Sequence, residues 1–187
     1  MKKISKSVIT TATTILLAAT MLSTANAELY AGKRTPGNGN IPYFIHSSVD
    51  NYSTNYTNIY TSAASSWNGI NSHVSLSRVY ETNNSKPDVY GVSTSQRTLQ
   101  GEMICYDSYS ASAPSHPSSN WLYAMTLVYD NNTPNEVAKK SAAVHEIGHT
   151  LGLAHTFQPN ETSVMSEGNF FTAPRDYDKA QLNLKWP

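Results

Sequence analysis

HEIGHTLGLAH, residues 145–155, sets His145, Glu146, His149, Gly152 and His155 at fixed offsets. Two histidines four apart on a helix share one face a turn apart, so the imidazoles of His145 and His149 can converge on one cation. Gly152 can adopt the positive φ that ends a helix at little cost, and the chain then turns back to bring in His155. Three imidazoles around Zn²⁺ leave one of its four tetrahedral positions open for water. That open position is catalytic in character, because zinc lowers the pKa of its water to about 7 and polarises a substrate carbonyl. Glu146, next to a ligand and facing the open position, is placed to act first as general base and then as general acid.

A bare HExxH would arise by composition alone in about one chain in several hundred. Adding Gly152 and His155 at their offsets makes accident roughly a thousandfold rarer on the same arithmetic. The full pattern, HExxHxxGxxH, resembles the signature of the metzincin metallopeptidases, and HEIGHTLGLAH is similar to the matrixin form HExGHxLGLxH. That family carries a methionine turn beneath the metal, and Ser163-Val164-Met165 follows the third histidine here. The resemblance implies that Met165 supports the ligand histidines as a hydrophobic floor, not as a ligand. It further implies an α+β fold, with a twisted, mostly parallel sheet of about five strands, an antiparallel edge strand and three helices. Matrixins bind an extended peptide along such an edge strand, which by order along the chain would be residues 101–106, with a specificity pocket walled by residues between His155 and Met165 and just beyond.

Outward from the motif, Thr133-Pro134-Asn135-Glu136 reads as a helix start, with Thr133 as N-cap, proline at the first helical position and Glu136 as the capping-box carboxylate. Upstream, Tyr56, Ile59, Tyr60, Ala63, Ala64 and Trp67 recur at three- and four-residue spacing, which predicts a helix over 54–67 with one buried stripe. Strands are predicted at 41–46, 74–79, 88–93, 101–106 and 121–129, and a closing helix over 174–184. Residues 30–40 read as a Gly/Pro/Asn-rich lead without regular structure.

The first six residues carry three lysines, the apolar run 8–22 follows, and Ala25-Asn26-Ala27 offers small residues for cleavage. This resembles a secretion signal cut after Ala27, its apolar run being short and broken by threonines where a membrane anchor would be long and continuous. Removal of residues 1–27 would leave 160 residues, enough for one domain, residues 28–187, with a sizeable core. The whole chain balances 13 basic against 13 acidic residues, and loss of Lys2, Lys3 and Lys6 with the leader leaves a net charge of −3. Nothing in that balance points to nucleic acid or a membrane surface, and no heptad run calls for self-association, so a monomer is expected.

Cys105 is the only cysteine, which excludes an intramolecular disulfide, and its apolar surroundings suggest a buried, inert thiol. It also excludes the cysteine-capped latency of many matrixins, whose pro-segment motif has no counterpart here. His46, His73 and His116 are scattered singly, so a second zinc is not expected. Glu167 stands two residues past Met165, where some metzincins place a tyrosine near the metal. Calcium could find scattered Asp and Asn side chains, but no loop has recognisable ligand spacing. The sequence thus implies a secreted zinc endopeptidase acting on extended polypeptide. The alternative is a secreted zinc-containing binding protein of the same fold without turnover, against which the retained Glu146 argues. Metal analysis of the purified chain is expected to give about one zinc per molecule, and a value near zero or two contradicts this ligand count.

Overall fold

The computed structural model describes residues 28–35, 39–80, 87–94, 98–110 and 113–187; the expected leader, 1–27, lies outside the described residues. Five strands form one sheet: β1 (Asn40–Ile45), β2 (Ser75–Val79), β3 (Asp88–Ser93), β4 (Gly101–Tyr106) and β5 (Tyr123–Tyr129), in the order β2-β1-β3-β5-β4. All neighbours run parallel except β4, which pairs antiparallel with β5 at the sheet's edge. Among the described residues three α-helices complete it: α1 (Tyr56–Trp67), α2 (Glu136–Thr150) and α3 (Asp176–Lys185). The α+β architecture expected from the sequence is the one observed.

Alternation along the strands explains how the sheet is covered. Ile41, Tyr43 and Ile45 of β1, and Tyr90 and Val92 of β3, are buried with Ile59, Tyr60, Ala63, Ala64 and Trp67 of α1 and with Ala143, Val144 and Ile147 of α2. The opposite face keeps half-buried Phe44, Val89 and Leu127. Parallel strands buried on both faces read as continuous apolar runs, so the alternation marks a sheet with helices packed mainly on one side. The core is stitched by polar tips of aromatic residues. Tyr43, Tyr90 and Tyr60 stack with centroids 4.7 and 5.2 Å apart, and the Tyr60 hydroxyl donates to the Gly91 carbonyl at 2.6 Å. Trp67, fully buried, donates its indole N–H to Val144 O at 3.1 Å and so ties α1 to α2. Cys105 is free and buried, and burial pushes its thiol pKa up, in keeping with an inert thiol.

Several boundaries differ from the sequence reading, among them the start of α1, which lies at Tyr56 and not at residue 54. The motif helix begins at Glu136 and is capped by Asn135, whose side chain accepts the Ala138 N–H at 2.9 Å. Thr133 turns the other way, donating its hydroxyl to Tyr129 O at 2.9 Å, so it closes the end of β5 instead of opening α2. Trp121 is not part of β5: it bridges to Arg34 in the N-terminal segment. The last helix starts two residues later than expected, at Asp176. Asn135→Ala is expected to destabilise the protein by about 1 kcal/mol, read as a lower melting temperature, because it leaves an N-terminal amide of α2 without its cap. An unchanged melting temperature would argue for a cap elsewhere.

Candidate metal centre

Helix α2 delivers two of the three histidines, and its C-terminus delivers the third. Gly152 adopts φ +90°, its N–H reaching His149 O at 2.9 Å and the Leu153 N–H reaching back to Gly148 O at 3.1 Å. This paired closure is a Schellman motif, for which glycine at the left-handed position is the favoured residue. The reversal returns His155 over the helix end. Its Nε2 then lies 3.2 Å from His149 Nε2 and 3.1 Å from His145 Nε2. Among the described residues these three form the only cluster of potential metal-binding side chains. His46, His73 and His116 are exposed and apart from it.

The protonation pattern decides what this cluster can bind. His145 Nδ1 lies 2.8 Å from Val164 O, and His149 Nδ1 lies 2.8 Å from Leu153 O. A carbonyl only accepts, so each Nδ1 carries the hydrogen and each Nε2 presents a lone pair. Burial lowers the pKa of His145 from 6.5 to about 4 and that of His149 well below the same value, which keeps both rings neutral. Lone pairs facing one another at this range repel unless a cation lies between them. Nitrogens about 2.0–2.1 Å from one tetrahedral zinc stand about 3.3 Å apart, close to the observed separations. The donor set therefore fits one zinc ion.

Support for the centre comes from three directions. Met165 is buried beneath α2, and a Cβ added at Gly148 would stand 2.4 Å from its Sδ and 2.9 Å from Trp67 Cζ2. The glycine inside HEIGH thus makes room for the methionine floor. Asp178 of α3, buried, accepts from Val164 N at 2.9 Å and from the Ser163 hydroxyl, fixing the turn whose carbonyl orients His145. The Tyr30 hydroxyl lies 3.1 Å from His149 Nδ1. Neither Asp178 nor Tyr30 has a local sequence signal tying it to the centre, since a carboxylate in a first helical turn and a tyrosine in an irregular lead are both ordinary.

Glu146 lines, together with His145, His149 and His155, a cleft of about 440 Å³ bounded by β4, α2, residues 166–169 and Tyr30. Gly101, first residue of β4, is pressed against it: a Cβ there would come within 2.7 Å of Glu146 Cγ. Burial, then the nearby Glu102 carboxylate, raises the Glu146 pKa from 4.5 to about 8, and a hydrogen bond from the Met103 backbone pulls it partly back.

The matrixin family model matches residues 45–181. The chain belongs to the matrixin family. It is a zinc metalloendopeptidase, as expected from HEIGHTLGLAH. Among solved structures, a chain of the GM1-bound ECX AB5 holotoxin shares the fold, at 14% identity and TM-score 0.55, over 84% of this chain and 85% of that one. High choriolytic enzyme 1, a hatching-enzyme zinc-protease from the medaka fish Oryzias latipes, is a looser likeness at 15% identity and TM-score 0.46, over 86% of this chain and 96% of that one. No curated protein sequence matches.

A pKa raised in the folded state means that the protonated form of Glu146 is the one folding favours. This contribution is fully present below the unfolded value of 4.5 and is lost as pH rises through about 8. In protein held metal-free by a chelator, Glu146→Gln of this matrixin is therefore expected to melt several degrees above the wild type at pH 8, with the gap closing toward pH 5. Equal melting temperatures at pH 8 would refute the raised pKa.

Proposed function

We propose that residues 28–187 form the single catalytic domain of an exported endopeptidase that cleaves extended polypeptide, with His145, His149 and His155 as zinc ligands and Glu146 as the proton-transferring group. The observation that carries this reading is the inward set of Nε2 lone pairs, with their Nδ1 atoms committed to backbone carbonyls on two of the three rings and a buried carboxylate beside them. Zinc, when bound, acidifies water and polarises the scissile carbonyl.

The chain's own residues supply the rest. Glu146 takes a proton from the attacking water and gives it to the leaving amine, for which it needs a pKa near the working pH. Burial raises that pKa and a cation held by the histidines would lower it, so one carboxyl group can serve in both directions. The substrate adds as a strand beside β4, whose backbone can hydrogen-bond any sequence while side-chain pockets set preference. Residues 166–169, just past Met165, line the cleft, whereas none of residues 156–165 does, so side-chain preference is assigned to the stretch after the methionine and not to the one before it. Gly152 and Met165 act as supports, the one turning the chain and the other packing under the helix.

Export rests on residues 1–27, whose basic start, broken apolar run and small-residue end suit a cleavable leader. Among the described residues no helix is long and apolar enough to cross a membrane. A monomer with no nucleic-acid partner accords with the weak net charge. A binding protein without turnover is not favoured, because both the carboxylate and the open cleft are in place.

Glu146→Gln keeps the shape of the base but accepts no proton. It is expected to retain zinc and to lose about 10²- to 10⁴-fold in kcat on a protein or peptide substrate, and chelation is expected to abolish wild-type hydrolysis until zinc is restored. Undiminished hydrolysis by the variant would remove Glu146 from the mechanism, and hydrolysis that survives complete chelation would remove zinc.

A further inference from the structure

Residues 28–35 contain neither helix nor extended strand, yet they are fastened around the metal centre along their whole length. Leu29 bridges Leu153, flanked by Tyr30 N to Gly152 O at 3.0 Å and Ala154 N to Glu28 O at 2.7 Å. Lys185 reaches back from α3 to the carbonyls of Tyr30 and Gly32, at 2.5 and 2.8 Å. Gly32 passes so close to the 117–119 loop that a Cβ would fall 2.0 Å from Ser119 O. Arg34 is buried against Asp88 of β3 at 2.9 Å. The segment is a strap joining the histidine-bearing turn, the last helix and the sheet.

Its effect on the centre passes through Tyr30. That ring lies 5.5 Å from the His149 ring, inclined by 32°, and is backed edge-on by Trp121 at 6.5 Å. Around His149 Nδ1 stand two oxygens, Leu153 O at 2.8 Å and the Tyr30 hydroxyl at 3.1 Å. Nδ1 has one hydrogen and, once that hydrogen is donated to Leu153 O, no lone pair to offer, so the tyrosine oxygen can enter only as a second acceptor of it. Both acceptors belong to one unit, since Leu153 pairs with Leu29, the neighbour of Tyr30. A strap that lifted would therefore loosen both holds on the imidazole together.

We propose that Tyr30 is a positioning residue for His149, and that docking of the strap 28–35 and closure of the metal centre are coupled equilibria. The inference rests on the reading of His149 as a zinc ligand. A ligand imidazole held by hydrogen bonds to its outer nitrogen need not lose ring freedom when it binds, which is why such partners raise metal affinity. Coupling of this kind is reciprocal: whatever the docked strap adds to zinc affinity, zinc adds to the docking of the strap.

The test uses the full chain. Zinc affinity is measured by competition with a chromophoric chelator for the wild type, Tyr30→Phe, Tyr30→Ala and His149→Ala. Backbone amide exchange at Tyr30 and Ala154 is followed with and without zinc. Tyr30→Phe keeps the ring and the Leu153 acceptor, so it is expected to weaken zinc binding about 3- to 10-fold, the worth of one hydrogen bond. Tyr30→Ala is expected to weaken it about 10- to 100-fold. Zinc is expected to slow exchange at both amides in the wild type, and to do so less in the Tyr30 variants, while Tyr30→Phe melts like the wild type in the presence of chelator. A purely structural role would lower melting equally with and without zinc and leave affinity unchanged, which would overturn the proposal. Weakened binding in His149→Ala beside wild-type affinity in Tyr30→Phe would do the same while leaving the ligand assignment in place. Wild-type affinity in His149→Ala would overturn the ligand assignment and this inference with it. If Tyr30→Ala does not fold, Tyr30→Phe decides the matter alone.

Discussion

Three imidazole nitrogens gathered so that His155 Nε2 lies 3.1 and 3.2 Å from the other two form an arrangement that disfavours itself unless a cation lies between them. The protein holds this arrangement by fixing the outer nitrogens of two of the rings. His145 is pinned on Val164 and His149 on Leu153, so the ring hydrogens are committed to backbone carbonyls and the inner lone pairs are left for metal. Burial makes the same choice by a different route, since it disfavours the charged imidazolium at His145 and His149. Much of the surrounding architecture can be understood as support for those two carbonyls.

Each carbonyl is held at least in part by a segment outside the helix that bears its histidine. Val164 is held by Asp178, through its N–H and through the Ser163 hydroxyl, so α3 acts on His145 through the Val164 carbonyl. Leu153 is held by the helix-ending turn at Gly152 and by the bridge to Leu29. Beneath both, Met165 fills the space that Gly148 leaves open. The sheet contributes the opposite wall, where Gly101 of the edge strand lets Glu146 come close enough for burial to change its acidity.

Residues 145–155 were legible because their geometry is local. A four-residue repeat along a helix, and a glycine where the backbone must turn left-handed, need no knowledge of the rest of the chain. The strand and helix pattern was legible for a similar reason, the alternation in β1 and the spaced aromatic stripe of α1 being direct imprints of one-sided burial. The start of α2 was misplaced because Thr133 and Asn135 are both good caps, and only the end of β5 shows that Thr133 is already engaged with Tyr129. Trp121, at the head of the strand predicted over 121–129, instead bridges to Arg34, 87 positions away in a segment without regular structure.

The amino-acid sequence alone determined the histidine trio and the adjacent carboxylate, which depend on spacing along a few turns of chain, and its resemblance to the matrixins supplied the methionine turn and the class of fold. Tertiary structure alone decided which distant groups meet the site: Tyr30 at His149, Asp178 behind Val164, Gly101 against Glu146. These contacts join residues separated by 119, 14 and 45 positions, two of them across segments with no shared periodicity. Spacing fixes what a single helix or strand presents, but which distant backbone carbonyl or hydroxyl meets it depends on how the layers pack, and packing is a property of the whole chain.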